Sequence, residues 1–194
     1  MRDPLSIVRL VLPLFVATAV AAGCSTGTTH HTSATKVGES SKAAALVTAG
    51  LAAQQARHLD QALHDYRAAL AEDPHNAYAH YDLGTIEQSR HQNSAAQSDY
   101  EAAIAANPQL VGALFNLATL VSSTQPAQAA ALYRRVIGLR PGDAAAHLNL
   151  GLALLRVHDS AATAELQAAI KLDPSLKSRV PVSALEPGTT TTTG

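Results

Sequence analysis

Nine histidines give this 194-residue chain its most obvious chemical capacity. A zinc centre needs three or four donors that converge, and on a helix that commonly means two histidines four residues apart. No pair here has that spacing. His80 and His147 instead fill one repeated slot where a large ring is wanted for packing. His91 and His158 stand in short connections, where histidine tolerates a positive φ. His30 and His31 lie in a polar segment near the start. Nucleophilic catalysis has no better footing, because Ser94 and Ser122 lack a G-x-S-x-G setting. Gly50, Gly84 and Gly151 are isolated rather than gathered into a phosphate loop. The acid pair Glu72-Asp73 belongs to a recurring helix end, not to a cleft. The expectation is a protein that is not an enzyme, with no catalytic residue, no metal and no cofactor.

The lone cysteine, Cys24, is a different matter. Arg2 and Arg9 make a basic leader, and Leu10 to Ala22 is an uncharged apolar run. That run is short of the roughly 20 residues needed to span a bilayer, so it reads as an export signal. Ala21-Ala22-Gly23-Cys24 resembles the lipobox of bacterial lipoproteins. The resemblance implies cleavage after Gly23, a diacylglyceryl thioether on Cys24 and often a further acyl chain on the new N-terminus. Two or more chains anchor stably where one is marginal. With no second cysteine there is no internal disulfide.

Four prolines reveal the elements behind these residues. Pro74, Pro108, Pro141 and Pro174 are separated by 34, 33 and 33 positions. Such a period marks a helical solenoid built from copies of one supersecondary unit. The copies run over residues 43–76, 77–110, 111–143 and 144–176. Five positions before each proline stand Ala69, Ala103, Val136 and Ala169; eight before, Tyr66, Tyr100, Tyr133 and Leu166; twelve before, Ala62, Ala96, Ala129 and Ala162. Offsets of three and four put these on one helical stripe. A second stripe holds Gly50, Gly84, Ala118 and Gly151, where a small residue permits a tight helix crossing. Asn76 and Asp143 suit the N-caps of first helices; Asp60, Asn93 and Asp159 suit those of second helices. Pro126 suits a first helical turn. No stretch alternates like a half-buried strand.

These positions resemble the tetratricopeptide repeat, W-x2-L-G-x2-Y followed by A-x3-F, A and P. The tryptophan slot departs from it, holding Leu46, His80, Leu114 and His147. The third and fourth copies are one residue short, in the turn between their helices. The resemblance implies an all-α, right-handed solenoid of four helical hairpins, eight helices in all. Before it, residues 24–42 are rich in Ser, Thr and Gly and read as a flexible tether. After it, residues 177–194 read as a short capping segment and a tail without structure, with Leu176, Val180, Val182 and Leu185 covering the last repeat.

Composition narrows the partners. The net charge is −1, aromatics are 4% and tryptophan is absent, which disfavours nucleic acid. In the family that the repeats resemble, first helices line a concave face that holds a peptide or a partner helix. Carried onto this chain, that face takes in Tyr78, Tyr81, Asp82, Thr85, Phe115, Asn116, Thr119, Leu148, Asn149 and Leu152. Packing between repeats explains the aromatics and asparagines equally well. The expectation is a membrane-anchored scaffold of the bacterial cell envelope, facing away from the cytoplasm. Alternatives are an assembly factor, pilotin-like, of a type IV or Tad-type pilus or secretion system, and an accessory subunit of a cell-wall enzyme.

Overall fold

A computed structural model describes residues 32–185. Cys24, His30, His31 and the signal segment lie outside the described residues. Eight α-helices follow in order: α1 Thr32–Gln55, α2 Leu59–Glu72, α3 Ala77–Ser89, α4 Asn93–Ala106, α5 Val111–Val121, α6 Pro126–Leu139, α7 Ala144–Arg156 and α8 Ala162–Leu172. No strand occurs among the described residues. Two 3-10 turns, Pro174–Arg179 and Val182–Ala184, follow α8. The segment expected as tether is helical from Thr32 onward. Once the alanines after Lys42 nucleate a helix, each upstream residue needs only one more hydrogen bond to join it.

Helices pair as hairpins, α1 with α2 through α7 with α8, and each second helix leans on the first helix of the next repeat. Successive first helices also touch, α1 with α3 and α3 with α5. They therefore lie on the inside of the curve.

The proline turn is built alike four times. The residue before each proline accepts at its carbonyl from the N–H three positions on, as in Asn76→Asp73, Leu110→Asn107, Asp143→Arg140 and Leu176→Asp173, each at 3.1 Å. Proline at the second position of such a turn has its φ already set. Asp73, Asn107 and Asp173 add a side-chain bond from the N–H two residues on. The acid of Glu72-Asp73 is thus turn chemistry.

Capping divides into two behaviours. Asn76 and Asp143 accept from Ala79 N–H at 3.0 Å and Ala146 N–H at 2.9 Å, as expected. Asp159 stands two residues ahead of Ala161, the N-cap of α8, and its side chain accepts from the Ala161 N–H at 2.9 Å. Asp60 and Asn93 do not cap their second helices: the N-caps are His58 and Gln92. The reason lies in the preceding turn. Arg57, His91 and His158 adopt φ of 62°, 60° and 56°. This left-handed step lets His58, Gln92 and Asp159 return their N–H groups five residues back, to Ala53, Glu87 and Leu154. In the first two hairpins the new helix starts immediately, two residues earlier than the capping pattern suggests in the first and one residue earlier in the second. Pro126 does begin α6. The shortened repeats absorb their deletion differently: the third shortens its first helix, α5 at 11 residues against 13 for α3, and the fourth its second, α8 at 11 against 14 for α2 and α4.

At the far end, Leu176, Val180 and Ala184 pack over Leu148, Leu166 and Ala169. Val182, expected in this cover, is 75% exposed, and Ala184 takes its place. Thr163 on α8 pins the segment by donating to the Ala184 carbonyl at 3.0 Å.

Candidate partner-binding face

Small residues on the first helices exist for the rings beneath them. A Cβ on Gly50 would sit 2.7 Å from Tyr66 Cε1, one on Gly84 2.9 Å from Tyr100 Cε1, and one on Gly151 2.6 Å from Leu166 Cγ. Tyr66, Tyr100 and Tyr133 are essentially fully buried. A buried hydroxyl needs partners, and here they come from the inner helices. Tyr66 donates to Gln54 Oε1 at 2.9 Å and Tyr100 to Gln88 Oε1 at 2.7 Å. Tyr133 shares a 2.9 Å bond with Thr119.

A second partner reaches each tyrosine from the following repeat, sixteen residues on. Asn116 Nδ2 donates to Tyr100 at 3.4 Å. Asp82 stands in the same relation to Tyr66, and Asn149 to Tyr133. Asp82, Asn116 and Asn149, expected to face a partner, thus form a ladder that ties each repeat to the next. Burial pushes the Tyr100 hydroxyl up to about 12, opposed by the Asn116 hydrogen bond. Burial likewise raises Tyr81 and Tyr133, and it pushes the Asp82 carboxyl up to about 6.

The other expected face residues sort by exposure. Tyr78 is 58% exposed and Thr119 is exposed. Tyr81, Thr85, Phe115 and Leu152 are half-buried. The Tyr81 ring lies 6.3 Å from that of Tyr100, and Phe115 meets Tyr133 edge-on at 5.5 Å. Thr85 and Thr119 turn their hydroxyls onto their own helices at Asp82 and Phe115 carbonyls. Leu148 does not belong to the open face: it is fully buried under the terminal 3-10 segment. The Leu residue occupies the slot of Tyr81 and Phe115, but the chain end covers it.

Two shallow cavities lie along this inner side. One, of about 230 Å³, is lined by Gly112, Phe115, Asn116, Arg140 and Asp143. The other, of about 110 Å³, lies among Thr119, Asn149, Leu152 and Arg156. A larger cavity of about 640 Å³ sits elsewhere, between α2 and the α3–α4 turn, crossed by the 2.8 Å Arg90–Asp60 ion pair. The sequence reading missed Arg140, Arg156, Gln54 and Gln88. The two glutamines repeat 34 positions apart, a signal the tyrosine stripe should have drawn attention to.

The histidine slot is polar rather than merely bulky. His80 bonds Asp99 Oδ1 at 2.7 Å through Nδ1 and faces the Pro74 carbonyl at 3.1 Å through Nε2. His147 does the same with Glu165 at 2.7 Å and Pro141 at 3.1 Å. In the third repeat the matching pair is Leu114 and Leu132, both buried. One slot therefore accepts either a hydrogen-bonded pair or an apolar one, and never a mixture in these three repeats. His147→Leu alone is expected to lower stability by about 1–2 kcal/mol, by stranding Glu165 in a mostly covered site. His147→Leu with Glu165→Leu should recover it. Urea unfolding midpoints of the full chain check both. No group of three or more metal-binding side chains converges among the described residues.

Comparison with known proteins agrees with this geometry. Among curated proteins no sequence matches the chain significantly. Among solved structures, MamA residues 41 to the end from Desulfovibrio magneticus RS-1 superposes with a TM-score of 0.59 at 21% identity, over 70% of this chain and 77% of that one. PilF of Pseudomonas aeruginosa gives 0.59 at 24%, over 71% and 64%. The first tetratricopeptide domain of Spaghetti (RPAP3), bound to the HSP90 peptide SRMEEVD, gives 0.57 at 21%, over 62% and 96%. At such identities these matches speak for the fold alone. The tetratricopeptide-repeat profile matches residues 47–88 and 119–176, just over half the chain. With the proline turns, the tyrosine stripe and the stacked hairpins, this makes the chain a member of the tetratricopeptide-repeat family.

Proposed function

We propose that this protein is a non-enzymatic scaffold that holds a peptide or partner helix along its inner face and is fixed to the cell envelope through acylated Cys24. The observation that carries the binding role is that face itself. It offers an exposed ring at Tyr78, half-buried rings at Tyr81 and Phe115, and two cavities edged by arginines. Extended peptides and amphipathic helices dock on such apolar troughs with spaced polar groups. The ladder residues act mainly on the fold, so the free contacts are Tyr78 and the cavity rims. The anchor rests on the lipobox-like Ala21-Ala22-Gly23-Cys24.

One experiment addresses both parts. A photo-crosslinking residue at position 78, in the full chain within its own host cells, should trap a protein partner. The same residue at position 131, exposed on α6, should not. Equal trapping at both positions would place binding elsewhere. In the same cells Cys24→Ser should lose the mass of the lipid and leave the membrane fraction. An unchanged mass and distribution would remove the anchor while leaving the binding result intact.

A further inference from the structure

Two covered carboxyl groups share one junction: Asp82 is half-buried against Tyr66, and Glu87 is buried. Asp82 occupies the ladder position where Asn116 and Asn149 stand in later repeats. Asparagine donates to a tyrosine hydroxyl that has already given its hydrogen to Gln88. Ionised aspartate has no hydrogen to give. Tyr66 has one hydrogen and two acceptors, Gln54 Oε1 at 2.9 Å and the Asp82 carboxyl. While Tyr66 gives its hydrogen to Gln54, a protonated Asp82 completes the rung by donating its own; an ionised Asp82 competes with Gln54 for the one Tyr66 hydrogen.

Glu87, one turn further along α3, repeats the problem. It is 6% exposed, and its Oε2 is buried without a hydrogen-bond partner. Asp99 on α4 lies against it, and Arg67 on α2 is the nearby opposing charge. Asp99 is itself engaged by His80 at 2.7 Å. Both α3 groups are covered by α2, which contributes Tyr66 and Arg67.

We infer that the junction between the first and second repeats is a proton-sensitive hinge: α1 and α2 dock firmly on α3 while Asp82 and Glu87 are neutral, and loosen when both ionise. In a solenoid each repeat leans only on its neighbours, so an end repeat can open without the rest. Burial is the main cause at both groups, raising Asp82 from 3.8 to about 6 against the Tyr66 hydrogen bond, which lowers it, and Glu87 from 4.5 to about 7, the latter helped by Asp99 and opposed by Arg67. An acid whose folded value is raised stabilises docking fully below its solvated value and loses that contribution as pH rises through the folded one. The window therefore runs from about pH 4 to about 7. The later junctions, with Asn116 and Asn149, supply an internal control.

The test is amide hydrogen exchange on the full chain at pH 5 and pH 8, corrected for intrinsic rates. Protection of α1 and α2 relative to α7 and α8 should fall about tenfold or more between the two. In Asp82→Asn with Glu87→Gln that difference should vanish, with α1 and α2 protected at both pH values. A wild-type chain whose four repeats change together would overturn the hinge. So would a folded double variant that keeps the wild-type difference. The wild-type comparison stands by itself if the double variant does not fold.

Discussion

Tyr100→Ala will lower the stability of the solenoid by about 3–5 kcal/mol, while Tyr100→Phe will lower it by only about 1 kcal/mol. The difference separates the two jobs of one side chain. Its ring is fully buried and fills the space that Gly84 leaves open, so truncation opens a cavity in the central core. Its hydroxyl joins Gln88 at 2.7 Å to Asn116 at 3.4 Å, and so joins the second repeat to the third. Phenylalanine keeps the first job and drops the second. Calorimetry of the full chain and its two variants reads both. If phenylalanine proved as damaging as alanine, the polar ladder would outweigh packing. If it proved neutral, the ladder would be incidental.

Gly151→Val is expected to be nearly as severe, at about 3 kcal/mol, the upper end for an overpacked crossing. A Cβ there would lie 2.6 Å from Leu166 Cγ and 3.1 Å from the Ala162 carbonyl oxygen. A leucine tip can swing away, but a helix backbone cannot, so the α7–α8 crossing must widen. The same substitution at Gly138, whose added Cβ would meet nothing within 4 Å, should change the melting temperature little. Equal effects at the two sites would show that glycine matters at 151 for something other than closeness.

How much of this could be read beforehand depends on how local the cause is. Proline spacing and the Ala-Tyr-Ala stripe gave the eight helices, because a period of 34 or 33 residues repeats the same local physics four times. Asn76 and Asp143 were legible as caps, since a cap bonds only three residues on. Asp60 and Asn93 were misread because the left-handed residue before them closes the preceding helix first. Leu148 was misplaced for a longer-range reason: its cover includes Val180 and Ala184, outside the repeat that contains it. Asp82, Asn116 and Asn149 sat in the right slot, but their tyrosine partners lie one repeat back, in a neighbouring unit's second helix. His80 and His147 shared a slot as expected, yet their acid partners became visible only when α3 met α4 and α7 met α8.

The fourth unit is written as a full stop. Leu166 replaces tyrosine there, so no hydroxyl is offered forward, and the position sixteen residues on is Val182, facing water. Anyone wishing to lengthen the molecule should therefore splice new hairpins ahead of residue 144, where the rungs are still continuous. A copy appended behind residue 185 would find its landing surface already taken by Leu176, Val180 and Ala184.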